Sequence, residues 1–554
     1  MAVLQKKTIK GIDYWYLIES KRINGKPQKI IIEYFGNTKK FATKLMDSRN
    51  ESRILNESKI LKSYTHGDTY ALWQIAKKLR IEDILNSTFS NQVRDNLNRS
   101  RSLLLIAIQR VCQPGSKSNL HNWLEQTTLP YELGISLNSL TSQHFWDQMS
   151  DIAENDLVKA EDAITKAIFE KYSFEMEKIA LDYTNYFSYI SSDNEKCTIA
   201  KRGRNKQKRY DLKQFSLALV TTKDIGLPLC SHVYEGNIND QTEFLTYFNM
   251  LKTRIPNYDP KIMTLIFDGG SNTKINLDAI ETHYICSFSL SYCKKLYDYD
   301  LSDFEEIIIN KKATKVYRST QNIWGKNRDC IITFSNALFK GQLKELEKDI
   351  NTVKDEVASL NKQLSDPKSR ISKERPNIDA KVKKILGKSY IKDIAAVNLS
   401  GVSIIESIEL EVDLTAKDDI VHKYFGKKLI ITDRTDWSTY EIVKTYREQD
   451  CIEKIFKDSK NTEHFSVRPQ YHFTDKKVRV HVFCCLLGLT LATLLYKEVV
   501  SSGVDKISKI QLLDYLSQIR KCWIKDNNGS NASYVLEEMS DTHIKIWDAV
   551  NSIV

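Results

Sequence analysis

Read for the spacing of its apolar residues, the chain changes period several times, and each change marks a candidate element. Residues 8–36 carry short β-rich runs broken by Asn24-Gly25 and Gly36, which predicts a small β-hairpin module. From about 66 to 176 the pattern turns helical, with Leu103, Leu104, Ile106, Ala107 and Ile108 clustered, until Pro114-Gly115-Ser116-Lys117 breaks it. Three runs then read as strands separated by polar turns: 178–190, 215–222 and 263–270. Residues 300–335 are strand-rich too, through FEEIIIN, TKVYRS and CIITF. The period then shifts sharply. Phe339, Leu343, Leu346, Ile350, Val353, Val357, Leu360 and Leu364 are spaced 4-3-4-3-4-3-4, a heptad seam stopped by Asp366-Pro367. A basic helix from Asn377 to Leu386 is expected to fold back on it, so the seam reads as intramolecular packing ahead of a dimerising coiled coil. Strand-like segments return at 400–412 and 427–433, and long helices are predicted at 438–460 and 475–500.

Length and charge add bounds. At 554 residues the chain is too long for one core, given roughly 100–200 residues per domain. Lys and Arg outnumber Asp and Glu by 82 to 71, a net +11 that is unevenly placed and favours a polyanionic partner, nucleic acid first. None of the ten cysteines forms a CxxC pair, so a zinc ribbon or redox motif is not expected, and scattered thiols suit a reduced, cytoplasmic protein. The start, MAVLQKKTIKG, has no apolar core of a signal peptide. The longest apolar run, Val482 to Tyr496, is 15 residues against the ~20 needed for a membrane span, so a buried core helix is expected and no membrane partner.

Candidate chemistry begins with two carboxylates at strand ends. Asp182 follows Ile179-Ala180-Leu181, and Asp268 follows Leu265-Ile266-Phe267 just before Gly269-Gly270. On neighbouring strands such a pair could share two Mg²⁺ ions about 3.5–4 Å apart, suited to in-line attack on phosphate. Either Asp could equally be a turn former or helix cap. In DWSTYEIVKTYREQDCIEKIFKDSKN, Tyr446, Gln449, Glu453, Lys457 and Lys460 fall at steps of 3, 4, 4 and 3 and share one helical stripe. Glu453 there is a third metal-facing oxygen donor or one half of a solvated Glu–Lys pair. The run 201–211 holds Lys201, Arg202, Arg204, Lys206, Lys208 and Arg209 with no acid before Asp211. It is a solvated loop or, lacking aromatic interleaving, a DNA-backbone contact. Arg468, Lys476, Lys477 and Arg479 could extend that surface. No Walker A run and no convincing zinc spacing are present.

These motifs together resemble DDE transposases of bacterial and archaeal insertion sequences, in the large group with a Tyr-x2-Arg-x3-Glu-x6-Lys signature. Tyr446, Glu453 and Lys460 occupy the Tyr, Glu and Lys positions, while Gln449 stands where the Arg is expected, with Arg447 close by. LDYTNYFSY and FDGGSNTKINL look like the two Asp motifs. YDLKQFSLALV, GLPL and YEGNINDQTEF resemble the segments between them, and GKPQKIIIEYFGN and CQPGSKSNLHNW resemble the leader. NTEHFSVRPQYHFTDKKVRVHVFCCLLGL resembles the continuation, an arginine-proline turn and a His-bearing helix.

The resemblance covers most of the chain and implies an α/β protein. An RNase H-like catalytic core would be interrupted by a largely β insertion domain with a helical hairpin, and preceded by a β-hairpin module and a helical DNA-binding domain. The gap from Asp268 to Glu453 is 185 residues against 86 between the two aspartates, which leaves room for the insertion. The expected segments are 1–60 (hairpin module), 61–175 (helical domain), 176–290 (core, first part), 291–435 (insertion, with the heptad helix 339–364) and 436–554 (core, second part, and C-terminal helices). It further implies Asp182, Asp268 and Glu453 as catalytic metal ligands for two Mg²⁺, with Mn²⁺ as a substitute. Tyr446, Arg447, Lys457 and Lys460 would contact DNA with the 201–209 cations. The partners implied are double-stranded DNA, both terminal inverted repeats and target, and a second copy of the chain in a paired-end complex, acting at the nucleoid. A nuclease without strand transfer and a transposase-derived DNA-binding protein without catalysis stay open.

Overall fold

The computed structural model describes residues 2–553 apart from 24–25, 47–57, 91, 95, 139, 206–208, 298, 461–462, 469 and 527–531. The chain forms two compact units, one of 1–74, 118–141 and 498–554, the other of 75–117 and 142–497. These cut across the expected segments: the helical stretch 61–175 contributes to both units, and the C-terminal residues belong with the N-terminal ones. The reason is long-range strand pairing. Arg520–Asp526 pairs antiparallel with Ser58–Thr65 on one edge and with Ala532–Leu536 on the other. The N-terminal module is a three-stranded antiparallel sheet of Ala2–Ile9, Ile12–Ile23 and Lys26–Asn37, one strand more than the expected hairpin. Its predicted Asn24-Gly25 turn lies outside the described residues, and an extra turn falls at Lys10-Gly11, both with positive φ (51° and 76°).

The larger unit is built on a nine-stranded mixed sheet. Its strands are β1 (Lys178–Ser188), β2 (Lys213–Thr222), β3 (Pro228–Glu235), β4 (Thr264–Phe267), β5 (His283–Phe288), β6 (Glu305–Ile309), β7 (Lys312–Ile323), β8 (Lys326–Phe334) and β9 (Lys427–Thr432). They are ordered β6-β7-β8-β9-β5-β4-β1-β2-β3. β1, β2 and β3 are an antiparallel meander, whereas β4 runs parallel to both β1 and β5. The four residues of β4, Thr-Leu-Ile-Phe, are all buried, as a strand covered on both faces requires.

The longer helices of this unit are α1 (Arg99–Cys112), α2 (Glu154–Lys171), α3 (Asp240–Arg254), α4 (Asn336–Ser365), α5 (Arg375–Ile385), α6 (Leu414–Tyr424), α7 (Thr439–Arg447), α8 (Asp450–Lys460) and α9 (Asp475–Ser501). The heptad seam is the buried face of α4. Leu346, Ile350, Val353, Val357, Leu360 and Leu364 pack on Ile378 and Val382 of α5, and on Ile408 and Phe425, so the seam is satisfied within the chain. α9 is long and apolar enough to cross a membrane by length and composition, and 94% of its apolar window is buried inside the protein.

Two expectations change here. The insertion's strands divide: β6, β7 and β8 join the central sheet through β9, which pairs antiparallel with β8 and β5 alike, whereas Ala395–Ser400 and Ser407–Val412 form a separate two-stranded antiparallel sheet packed against α4. One core confirms the continuity, running from Ile266 and Ile285 through Ile430 and Ile331 to Val316 and Ile309, with Trp437, Ile442 and Val443 packed on it. The helix predicted over 438–460 is two helices, interrupted at Glu448-Gln449. Lys223, in the β2–β3 turn, anchors that break by donating to the Thr445 carbonyl and pairing with Glu448 at 3.3 Å. Gly226 in the same turn has φ +68°, and a Cβ there would meet Ile455 Cδ1 of α8 at 2.9 Å. Only glycine combines that backbone with that approach.

Candidate active site

The parallel pairing of β1 and β4 decides the geometry. Phe267 is the register partner of Leu181, so the next residues, Asp268 and Asp182, stand side by side on strands about 4.8 Å apart. Asp182 is half-buried and accepts from the Tyr183 backbone N–H at 2.7 Å. Asp268 is exposed and caps a short 3₁₀ turn, accepting from Gly269 N–H at 2.7 Å.

Sequence reasoning missed a third participant. Ser287 on β5 donates its hydroxyl to Asp268 Oδ1 at 2.6 Å and accepts from Gly269 N–H at 2.8 Å. The fit is close: a Cβ on Gly269 would lie 2.9 Å from Ser287 Oγ and 3.2 Å from its carbonyl oxygen. Asn272 secures the other side by donating to the Ser287 carbonyl. Both hydrogen bonds to Asp268 fall on Oδ1. No sequence signal marks Ser287, because β5 itself has no clear turn-bounded alternation.

Tyr446, at the end of α7, joins this group. Burial raises its phenol pKa above the ordinary value; a hydrogen bond to Ser287 opposes that, and the charges of Asp268 and Glu453 add to it. Asp268, Ser287, Tyr446 and Glu453 thus share one electrostatic neighbourhood. Glu453 is exposed on α8, whose other face buries Ile452, Ile455 and Phe456. Tyr186 of β1 ties α8 to the sheet through a 2.6 Å hydrogen bond to Ser459. Among the described residues, no group of three or more His, Cys, Asp or Glu side chains is gathered closely enough to hold a metal ion. The aspartates are therefore adjacent, while Glu453 stands in their vicinity on a separately anchored helix.

The remaining predicted residues divide. Glu453, Lys457 and Lys460 share a stripe on α8, with Lys457 exposed and Lys460 Nζ 5.8 Å from the Tyr186 ring centre. The helix break separates them from Tyr446 and Gln449, so the five-residue stripe is corrected to three. Gln449 is buried. Arg447 donates to Thr314 of β7 at 2.7 Å, toward the insertion strands. In the basic loop, Lys206 and Lys208 lie outside the described residues. Lys201 is exposed at the loop's base, where its backbone bridges Gln214. Arg202 reaches Ser192 at 3.1 Å, and Arg204 is exposed. Arg209 forms two hydrogen bonds with Asp211, 2.9 and 2.7 Å, and holds that carboxyl down at about 2, so its charge is largely spent locally. The loop leaves β1 at Ser188, six residues past Asp182 and so ~20 Å along the strand. Arg479 pairs with Glu154 at 3.0 Å, Arg468 stacks over Phe187 and Lys477 over Trp146, and Lys476 is exposed.

A cleft of about 340 Å³ opens beside Asp268. Ser287, Tyr446, Lys427 and Lys428 line it, with Tyr390 and Tyr424 supplied by the insertion. The cleft offers the Asp268 carboxylate together with lysine and tyrosine side chains, a set suited to a phosphodiester next to a base.

No protein-family model matches the sequence, and no curated protein matches it. Among solved structures, the chain is similar to a piggyBac transposase in its synaptic complex with hairpin DNA. That similarity covers 81% of this chain and 77% of the other, at 8% sequence identity and a TM-score of 0.37.

Proposed function

We propose that this protein is a DNA transposase of the DDE type, cleaving DNA at transposon ends and joining them to target DNA. The observation that carries the reading is the register of β1 and β4, which brings Asp182, within β1, beside Asp268, just past the end of β4. The family resemblance implies an RNase H-like core with aspartates on adjacent strands and a glutamate on a following helix. β1, β4 and α8 supply those three positions in that order.

The two adjacent aspartates are of the donor type that a hard divalent cation takes, with Glu453 close by rather than gathered with them. Asp182 and Asp268 are hard oxygen donors on a rigid support, and the protein's hydrogen bonds to Asp268 converge on Oδ1. Asp182 and Asp268 would hold Mg²⁺ or Mn²⁺, with Glu453 as the further ligand. Bound there, a metal pair supplies water activation and leaving-oxygen stabilisation. The chain's own part is positioning. Ser287 orients Asp268, Tyr446 flanks the same carboxylate, and the exposed Lys428 offers positive charge to the phosphate. The work is done by a homodimer on paired ends, at the nucleoid.

Gln449 favours a second reading, a transposase-derived DNA-binding protein without catalysis. It is buried where the signature has Arg, and the adjacent Arg447 faces Thr314. Supplying a pre-cut end with a free 3′-hydroxyl, taken from the DNA flanking the gene, separates the possibilities. Joined product with Mg²⁺ or Mn²⁺ supports the transposase. Cutting without joining makes it a nuclease, and binding without either supports the second reading.

A further inference from the structure

Beyond Tyr446 the site opens into a second and larger cavity, about 700 Å³, over the insertion strands. It shares Lys428 and Tyr446 with the cleft beside Asp268, so the two adjoin. Its charge is one-sided: Lys312, Lys315, Lys428 and Arg447 line it, against the single acid Glu306. Arg447 is half-buried, and burial lowers its pKa. Its hydrogen bond goes to the neutral Thr314 hydroxyl, and Lys315 reaches only the Leu301 carbonyl, at 3.5 Å. Partly burying the Arg447 guanidinium against a neutral hydroxyl costs free energy that a bound anion would offset, and the nearby lysines add positive potential at the same place. The α4 N-terminus adds to the same field, since Ser335, Asn336, Ala337 and Leu338 also line the cavity.

We propose that this cavity is a phosphate-binding site. Its ligand is an oxyanion of the phosphate class, carried by a DNA strand passing Tyr446 or by a free nucleotide. The DNA source rests on the transposase reading, whereas the anion site rests on the cavity alone. Arg447 is the guanidinium that grips one phosphate, and Lys312 and Lys428, both exposed, set the charge at its mouth.

The test uses the full chain and a Lys312→Gln, Lys428→Gln double variant, whose exposed positions leave the core untouched. In one arm, the affinity for a labelled duplex is measured across a salt series. Since each neutralised phosphate contributes a slope of about −0.9 in log K against log salt, the double variant should flatten it by about two such steps. In the other arm, melting is followed with ATP or inorganic phosphate and no DNA. The parent should be stabilised and the variant should not, and a Lys312→Arg, Lys428→Arg control should behave as the parent. A flattened slope assigns the site to DNA, and a loss confined to the melting arm assigns it to a free nucleotide. No difference in either arm overturns the proposal. Metal-dependent cleavage by the parent, scored separately, shows whether the transposase reading stands in each case.

Discussion

The two halves of the nine-stranded sheet meet where β5 pairs with β9, and they differ in chemistry more than in build. On the β1–β4–β5 side, Asp182, Asp268 and Ser287 sit at matched register positions. On the β7–β8–β9 side, the corresponding surface carries Lys312, Lys315 and Lys428. One hydrophobic core underlies both halves, so the sheet fixes carboxylates and cations in one rigid frame. The contrast teaches that the strands β6, β7 and β8 extend the surface of the candidate site, while the helices α4, α5 and α6 keep a core of their own.

The sharpest way to break the comparison is to remove one carboxylate from each half. Asp268→Asn should lower metal-dependent DNA cleavage on the order of 10³-fold, the scale of losing a group that stabilises transition-state charge. Glu306→Gln, across the cavity, should leave the cleavage rate near the parent's; single-turnover rates on one duplex compare them. Next in size is Ser287→Ala. Partners that orient a metal ligand are worth about 10–100-fold in metal affinity or activity, so its metal requirement should rise while melting changes little. A smaller effect is expected within the cationic half. Arg447→Lys keeps the charge but loses the planar fork, and should weaken duplex binding about tenfold or less without flattening the salt slope.

The smallest effect tests the packing of α9, away from both cavities. His472 and His481 are buried with their rings 4.7 Å apart, and burial beside Lys117 and Arg110 pushes both well below 6.5. They stay neutral in the fold and gain protons on unfolding, so the unfolded state binds more protons as pH falls below about 6.5. Stability is therefore fully present above that pH and declines beneath it. Melting temperatures at pH 7.5 and 5.5 should show this decline, reduced in a His472→Asn, His481→Asn variant.

Local pattern made much of this legible. The heptad seam, the strand end before Asp268 and the 475–500 helix are all encoded in apolar spacing over short windows, whereas Asp182, expected at a strand end, lies within β1 (Lys178–Ser188). Pairing was not. That β4 lies parallel to β1, that β9 inserts between β8 and β5, and that 520–526 joins 58–65 depend on contacts far apart in the chain. The helix break at Glu448-Gln449 carries neither glycine nor proline, and it is held by Lys223 from another turn. Arg209 shows the opposite limit: a basic run looks free in sequence until Asp211 folds back onto it.

The central claim is that Asp182 and Asp268, with Glu453, hold the metals for phosphoryl transfer. Paramagnetic titration with Mn²⁺, on the full chain bound to a duplex of its own flanking DNA, tests it most directly. Two tightly held Mn²⁺ per chain are expected for the parent, with loss of both in an Asp182→Asn, Asp268→Asn variant and weakening in Glu453→Gln. Equal Mn²⁺ uptake by the parent and the double aspartate variant would contradict the account.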